Sequence, residues 1–255
     1  MLDQILDRTR QRLPALLERT DDIVREATEA PPPPPFAAAL SGDRLAVIGE
    51  VKRRSPSRGP LDLDLDPVAQ ASQYAAGGAA GISVLTEPEF FSGSNADLAA
   101  VATATRLPVL RKDFTLEAVQ IWEARALGAS AVLLIVAALD DRQLRRLIET
   151  AADAGLDALV EVHTTEEASR AVDAGATFVG VNNRDLNTFD VDLATAEKIA
   201  PLLEGVSTTV AESGIFGPDE ARRMADAGYD AVLVGEALVK AGDPAALVTA
   251  LRVPR

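Results

Sequence analysis

Amines and carboxylates stand at the ends of several apolar runs in this 255-residue sequence. Glu50 and Lys52 close the first run, Lys112 closes the third, and Glu161 lies at the end of the fifth. Only four of the 25 Lys and Arg residues are Lys, and two of those four are Lys52 and Lys112. A lysine amine can titrate and give up a proton, whereas an arginine guanidinium cannot do so at neutral pH. The pattern therefore predicts acid–base chemistry by lysine and glutamate.

Polar residues end all but one of the remaining runs in a similar way. Asn182 and Arg184 are two residues apart at the end of the sixth run, so they would share one face of a strand, as Glu50 and Lys52 would. A solvated strand end explains any one of these residues. Polar endings on seven of the eight predicted strands favour a common site instead.

Glycines follow the seventh and eighth runs, in Ser213-Gly214 and Gly235-Glu236. Backbone N–H groups of these two loops form the usual phosphate site of an α/β barrel. A tight turn explains each glycine alone, and the two together indicate a phosphate or another anion. The carboxylate of Glu236 would repel that anion unless the side chain points away and only its N–H is used.

The elements that position these residues follow from a recurring joint. A glycine, two residues, a small residue and an apolar run recur at Gly78, Gly128, Gly155, Gly175 and Gly228. Such a glycine closes a helix in the left-handed conformation, and the run after it is typical of a parallel strand buried on both faces. The eight predicted strands are 46–52, 81–86, 108–112, 131–136, 158–162, 178–182, 208–212 and 231–235. Asp66-Pro67 and Gly217-Pro218 begin two of the helices between them. The pattern predicts an α/β fold, a closed (β/α)8 TIM barrel. The alternative is an open doubly wound sheet, which is disfavoured because no Gly-x-Gly-x-x-Gly follows any strand.

Residues 1–45 lie outside this repeat and are predicted to form an N-terminal extension. Its apolar residues, Leu2, Ile5 and Leu6 and then Leu13, Leu16 and Leu17, predict an amphipathic helix that is interrupted near Pro14. Prolines 31–35 predict a stiff spacer that lays this extra helical segment across the barrel. We therefore expect one domain, with the extension over 1–45 and the barrel over 46–255.

The overall composition excludes several classes of function. With 39 Asp and Glu against 25 Lys and Arg, the net charge is −14, which disfavours nucleic-acid binding. The absence of Cys rules out thiolate metal sites and a Cys nucleophile, and the single His rules out a His-x-x-x-His zinc site. The longest apolar run is about nine residues, where a membrane span needs roughly 20. The charged first turn lacks the apolar core of a secretion signal. We expect a cytoplasmic protein with no metal and no membrane or nucleic-acid partner.

Three further residues lie near the predicted strand ends. His163 is expected to be a strand-end residue outside the chemistry, because its neighbour Glu161 has the inward parity. Phe90 and Phe91 follow the second strand in a chain with only 4% aromatic residues. They either form the wall of a site for a planar substrate or pack within a loop.

Six segments, in order along the chain, resemble the indole-3-glycerol phosphate synthase family of tryptophan biosynthesis. They are 48–59, with its Glu-Val-Lys and Ser-Pro-Ser sequences, 83–87, 110–114, with Arg-Lys-Asp-Phe, 133–136, 181–186 and 211–215. The resemblance covers essentially the whole barrel and includes the extra helix. It implies a carboxy-lyase without a metal or organic cofactor. The substrate would be 1-(2-carboxyphenylamino)-1-deoxy-D-ribulose 5-phosphate, and the products indole-3-glycerol phosphate, carbon dioxide and water.

The resemblance also implies roles for the charged residues. Lys112 would protonate the ketone oxygen of the substrate. Glu161 would transfer protons during dehydration, and Glu50 would support that exchange. Lys52 would bind the departing carboxylate and donate a proton. Since cations disfavour a neighbouring ammonium, Lys52 and Arg184 are expected to lower the pKa of Lys112.

The remaining implied roles concern binding. Asn182 would orient the substrate, and Arg184 would hold the inner site together near the phosphate. The residues expected around the phosphate are Ser55, Ser213, Gly214, Gly235 and the N–H of Glu236. Phe91 and Phe114 complete the candidate substrate-binding residues.

Two other functions fit part of the same pattern. A phosphoribosyl isomerase on this fold would share the phosphate loops and use Glu50 and Glu161 as its acid–base pair, which leaves Lys52 and Lys112 unexplained. A non-catalytic barrel that binds a phosphorylated metabolite would be stabilised by sugar phosphates without releasing carbon dioxide. In each case the expected partner is a small anionic molecule. For the synthase it carries a carboxylate and a phosphate, and we expect a monomer or a weak homo-oligomer.

Overall fold

The computed structural model describes residues 1–56, 59–185 and 188–255. In this part of the chain eight parallel strands close into a barrel in sequence order, and the last strand pairs with the first. They are β1 (Ala46–Val51), β2 (Gly81–Leu85), β3 (Val109–Lys112), β4 (Ala131–Ile135), β5 (Asp157–Val162), β6 (Phe178–Asn182), β7 (Thr208–Glu212) and β8 (Ala231–Val234). The predicted TIM barrel is confirmed, and each predicted strand boundary lies within one residue of the observed one.

Helices precede the barrel and follow its strands. They are α1 (Leu2–Leu17), α2 (Thr20–Glu29), α3 (Pro67–Ala76), α4 (Asn95–Ala104), α5 (Ala118–Ala126), α6 (Asp141–Asp153), α7 (Thr165–Asp173), α8 (Ala194–Ile199), α9 (Pro218–Asp226), α10 (Glu236–Lys240) and α11 (Pro244–Leu251). Asp66 caps α3 as predicted, because its side chain accepts the N–H groups of Val68 and Ala69. Pro218 is the first residue of α9, also as predicted.

Strand alternation divides the apolar core into two layers. On β1, Ile48 points into the barrel, where it packs in one cluster with Leu110 of β3 and Leu159 of β5. Val47 belongs instead to the cluster between the strands and the helices, together with Leu98 of α4. Residues that share the parity of Ile48 therefore face the barrel axis.

The chain closes the amino-terminal end of the barrel with its own N-terminal extension. A short 3-10 turn, Ala37–Leu40, follows the prolines. Phe36 and Leu40 are fully buried within the interior cluster, and the Phe36 ring lies 5.9 Å from that of Phe178. The carboxylate of Asp157, at the start of β5, accepts the N–H groups of Phe36 and Ala37 at 2.8 and 2.9 Å.

The predicted interruption of the first helix near Pro14 is wrong. Helix α1 continues through Pro14 to Leu17. Proline forfeits the hydrogen bond of its own nitrogen, but the next turn still closes, since Glu18 donates its N–H to the Pro14 carbonyl at 3.1 Å. Helix α2 then packs on α5. Among the described residues no helix combines the length and the apolar character needed to cross a membrane.

Candidate active site

A cavity opens at the carboxyl-terminal ends of the barrel strands. The structure brings together all of the candidate site residues there, since each of them lines this cavity: Glu50, Lys52, Ser55, Phe91, Lys112, Phe114, Glu161, Asn182, Arg184, Ser213, Gly214, Gly235 and Glu236. Helix α1 reaches the same cavity through Leu2 and Ile5. Ser57, Arg58 and Leu186 of the family-like segments lie outside the described residues.

The ammonium group of Lys112 lies between two buried carboxylates. Its Nζ is 2.7 Å from Oε2 of Glu161 on β5 and 2.5 Å from Oε2 of Glu212 at the end of β7. Lys52 forms a second amine–carboxylate pair with Glu50, which is also buried. Two amines and three glutamate carboxylates thus contact one another within this cavity. Within the described residues, no three His, Cys, Asp or Glu side chains are arranged to hold a metal ion.

The carboxylate of Glu161 has two polar neighbours besides the Lys112 amine. Its Oε1 accepts a hydrogen bond from Nδ2 of Asn182 at 3.3 Å and lies 3.3 Å from Nε2 of His163. Asn182 is fixed in turn, because its Oδ1 accepts from Oγ of Ser213 at 2.8 Å. A chain of polar contacts therefore joins the loop after β7 to Glu161.

Glu212 is a site residue that the sequence analysis missed. Its Oε2 bonds Lys112, while its Oε1 is buried and has no hydrogen-bond partner in the described part of the chain. Gly180 of β6 makes room for this oxygen, since a Cβ at that position would lie 2.2 Å from it. The signal was available in the sequence, because Glu212 ends a strand as Glu161 does. In the sheet it pairs in register with Asn182.

These environments drive two neighbouring pKa values apart. Burial by itself raises the pKa of Glu161, but the Lys112 ammonium and the contact with His163 outweigh it and lower the pKa below its ordinary value. Burial also raises the pKa of Glu212, and Lys112 offsets this only in part, so the pKa is raised to about 7. Glu161 is therefore the ionised member of the pair at neutral pH.

The expected lowering of the Lys112 pKa is wrong. Burial alone would lower it, but the carboxylates of Glu161 and Glu212, with a smaller contribution from Glu50, raise it above the ordinary lysine value. The glutamates that contact the amine outweigh the effect of the cations at the strand ends. Lys112 is consequently an ammonium group at neutral pH.

Two glycines let backbone approach the cavity closely. Ser213 and Gly214 have φ angles of 64° and 83°, so the loop after β7 turns through the left-handed region. A Cβ on Gly214 would lie 2.7 Å from Val191. A Cβ on Gly235, after β8, would lie 2.5 Å from Oε1 of Glu50. A side chain at Gly235 would therefore meet the Glu50 carboxylate, and one at Gly214 would meet apolar side chains.

The carboxylate of Glu236 is paired along its own helix. Its Oε1 accepts from Nζ of Lys240 at 2.7 Å, one turn further along α10. The Lys240 ammonium offsets part of the negative charge of Glu236. Across the cavity, Arg184 donates from Nη1 to the carbonyl of Phe189 at 3.1 Å, which anchors the guanidinium in the loop after β6.

One aromatic pair forms part of the cavity wall. The rings of Phe91 and Phe114 lie 6.2 Å apart. The loop that carries Phe91 is shaped by Glu87, which is fully buried and accepts the N–H groups of Glu89, Phe90 and Phe91 at 2.6–3.2 Å. Of the two readings left open for Phe91, its lining position agrees with a wall for a planar substrate.

His163, which is expected to lie outside the chemistry, has its ring in contact with the Glu161 carboxylate. Strand parity does not separate His163 from Glu161, because residues two apart on a strand share a face. His163 follows β5 directly, and its ring lies beside the Glu161 carboxylate.

Comparison with known proteins identifies the family. A family model described as indole-3-glycerol phosphate synthase matches residues 2–251. The chain belongs to the indole-3-glycerol phosphate synthase family. It is 57% identical over 213 residues to a protein of that name from Nocardioides sp., covering 84% of this chain and 80% of the relative. It is 50% identical over 253 residues to another from Streptomyces griseus, covering 98% and 94%. The resemblance found in the sequence is therefore confirmed, and the match to the family includes α1.

Solved structures with low sequence identity share the barrel. A 3-hexulose-6-phosphate synthase aligns with a TM-score of 0.63 at 19% identity, covering 82% of this chain and 98% of that one. A thiamine phosphate pyrophosphorylase from Pyrococcus furiosus aligns with a TM-score of 0.60 at 21% identity, covering 81% and 93%. At these identities the similarity shows the fold alone.

Proposed function

We propose that the chain carries out the reaction of the indole-3-glycerol phosphate synthase family, with Lys112 as its general acid. One molecule of 1-(2-carboxyphenylamino)-1-deoxy-D-ribulose 5-phosphate gives one indole-3-glycerol phosphate, one carbon dioxide and one water, a step of L-tryptophan biosynthesis. The observation that supports the assignment of the acid is the Lys112 ammonium between Glu161 and Glu212. A phosphoribosyl isomerase would give this amine no task.

The substrate carries a negative group at each end, and the cavity offers separate partners for them. Lys52 binds the carboxylate of the benzene ring, in competition with its contact to Glu50. Phe91 and Phe114 flank that ring. The phosphate is bound near Arg184 by the loops that contain Ser55, Ser213, Gly214, Gly235 and the N–H of Glu236. Binding of the substrate's carboxylate and phosphate at these two places aligns its benzene ring with its ketone.

Ring closure requires a proton at the ketone oxygen. The ring carbon that bears the carboxylate attacks the ketone carbon, and the electrons of the C=O bond move onto oxygen. Lys112 donates its proton to that oxygen. An alkoxide is more basic than a lysine amine, so the transfer is favourable even with the raised pKa of Lys112. Asn182 orients the substrate beside Glu161.

Decarboxylation and dehydration follow ring closure. The bond to the carboxylate releases carbon dioxide, and its electron pair returns to the benzene ring. The new hydroxyl leaves as water when it receives a proton and a base removes a proton from the adjacent methylene carbon. Glu161, ionised at neutral pH, accepts that proton, and Lys52 donates to the departing hydroxyl, with Glu50 beside it to support the exchange. Glu161 returns its proton to Lys112, and Lys52 regains one from solvent, so that one proton is consumed overall.

The assay that tests this function follows the fluorescence of the indole product and the release of carbon dioxide. The protein is incubated with the proposed substrate and, in parallel, with a phosphoribosyl isomerase substrate. Indole formation from the first, with no conversion of the second, is the expected result. Thermal stabilisation by sugar phosphates without carbon dioxide release would overturn the proposal in favour of a binding protein.

Further expectations belong with this function. We propose a cytoplasmic enzyme whose residues 1–45 fold with the barrel of 46–255 as one domain. Light scattering at assay concentration should give the mass of a monomer or of a weak homo-oligomer. Unfolding in one transition, followed by both fluorescence and circular dichroism, is expected of a single domain.

A further inference from the structure

The imidazole ring of His163 is buried between two carboxylates that belong to different elements. Its Nε2 lies 3.3 Å from Oε1 of Glu161 on β5, and its Nδ1 lies 3.1 Å from Oε2 of Glu167 on α7. The side chain is 8% exposed. Nε2 makes no well-aligned hydrogen bond within the described residues, so its contact with Glu161 becomes an ion pair when the ring is protonated. The ring therefore connects the site to α7.

Glu167 is a fixed partner of this ring. Its Oε2 also accepts the N–H of His163 at 2.7 Å. Its own N–H is donated at 3.2 Å to the hydroxyl of Thr164, which caps α7. The Glu167 carboxylate therefore contacts both the ring and the backbone N–H of His163. The short connection between β5 and α7 gives the ring one orientation.

The two carboxylates determine where the protons of the ring lie. A neutral imidazole has one N–H and one lone pair, so one of the two carboxylates would face a lone pair. The imidazolium presents an N–H to both. Burial lowers the pKa of His163, but Glu161 and Glu167 outweigh it and raise the pKa to about 10. A cation therefore stands behind Glu161 at neutral pH.

Other charged groups near the pair come from the neighbouring strands and from α7. Lys112 reaches Glu161 from β3, and Glu212 lies on the far side of that amine on β7. On α7, Arg170 bonds the carbonyl oxygens of Val136 and Leu139 and the carboxylate of Asp141. Arg170 is therefore paired with these groups and not with Glu161. Among the described residues on the α7 side of the barrel, His163 is the one that contacts Glu161.

We propose that His163 is a positioning residue: as a cation fixed by Glu167, it orients the carboxylate of Glu161 and keeps that carboxylate ionised for proton transfer. The proposal rests on the role given to Glu161 in the proposed function. His163 acts through Glu161 and does not touch the substrate.

The first test measures the protonation of the ring directly. Because His163 is the single histidine of the chain, its imidazole signals in an NMR titration of the untagged protein need no assignment. We expect an imidazolium throughout neutral pH, and in Glu167→Gln a shift of the titration toward the ordinary value near 6.5. A wild-type ring that titrates near 6.5 would overturn the proposal.

The second test compares kinetics as a function of pH. His163→Gln keeps a donor and removes the charge, so kcat should fall about tenfold with little change in KM. The acid limb of kcat should move to higher pH, because Glu161 loses a cation that lowers its pKa. Glu167→Gln should instead lose activity as the pH rises through the lowered pKa of His163. Glu166→Gln, an exposed carboxylate one residue away, is the matched control.

The outcomes separate this proposal from the function on which it rests. If the wild-type protein forms no indole product, the proposed function fails. If the wild-type protein is active and the pH profile of His163→Gln superimposes on it, the role of His163 is refuted alone. A lower melting temperature with an unshifted profile would likewise refute positioning, because it would show a structural role only.

Discussion

Replacing Gly180 with alanine places a methyl group against the carboxylate of Glu212. A Cβ at this position of β6 would lie 2.2 Å from Oε1 of Glu212 and 3.1 Å from Leu159. Gly180 is not among the residues of positive φ, so the backbone accepts an alanine without strain. The substitution therefore acts on the carboxylate and leaves the strand in place.

The size of the effect follows from the distance that the carboxylate must move. Ordinary van der Waals contact begins near 3.4 Å, so the oxygen has to retreat by about 1 Å, and a misplacement of about 1 Å in a site can cost about a hundredfold in rate. Glu212 is 2% exposed and its other oxygen bonds Lys112 at 2.5 Å. Because the amine must move with it or lose the contact, we expect kcat to fall about a hundredfold.

Steady-state kinetics by indole fluorescence measure this effect, with circular dichroism to show that the barrel is intact. Gly242→Ala is the matched control, because nothing lies within 4 Å of a Cβ at that position. In a Glu212→Ala background, Gly180→Ala should have no further effect, since the clashing carboxylate is gone. A normal kcat for Gly180→Ala, or an equal loss in that background, would refute the reasoning.

Three other substitutions test separate parts of the structure. Lys112→Met should abolish turnover and change substrate affinity by less than about tenfold, because the amine acts in the transition state. A near-normal kcat would contradict this. Lys198→Met, on the exposed side of α8, is the control. In the wild-type protein kcat/KM should fall as the pH drops through about 7, because Glu212 then takes up a proton and loses its charge beside Lys112. The pH profile of Glu212→Gln should lack this fall in kcat/KM near pH 7. Asp157→Ala should lower the free energy of unfolding by about 2 kcal/mol, since two N–H groups at the closed end of the barrel lose their acceptor. Its kcat should not change, and an unaltered urea midpoint would show that the contact contributes nothing.

The barrel could be predicted because its local signals and its tertiary structure agree. The five joint glycines, Gly78, Gly128, Gly155, Gly175 and Gly228, all have positive φ, between 70° and 94°. Only a glycine takes that conformation without strain, so the sequence marks the end of each of these helices. The buried runs that follow have no polar face, as strands between a packed interior and a layer of helices require.

The predictions that failed depend on packing and on distances between side chains, which the sequence does not give. Pro14 reduces helix propensity locally, yet α1 packs along the barrel and continues past it. The pKa of Lys112 depends on which charges come within a few ångströms of the amine, and the sequence gives parity but not distance. The contact of His163 with Glu161 likewise depends on the ring orientation that Glu167 imposes, which strand parity does not give.

The two carboxylates on Lys112 are unequal because of what else touches them. Glu161 accepts a hydrogen bond from Asn182 and lies beside the His163 ring. In contrast, Oε1 of Glu212 has no hydrogen-bond partner among the described residues and lies against Gly180. Environments that push two neighbouring pKa values apart assign acid and base within a site. In the proposed reaction the ionised Glu161 can accept a proton, while Glu212, with a pKa near 7, holds the Lys112 ammonium by charge only in its ionised form. Making the two environments alike should therefore impair the proton acceptor if Glu161 is altered and the anchor of the amine if Glu212 is altered.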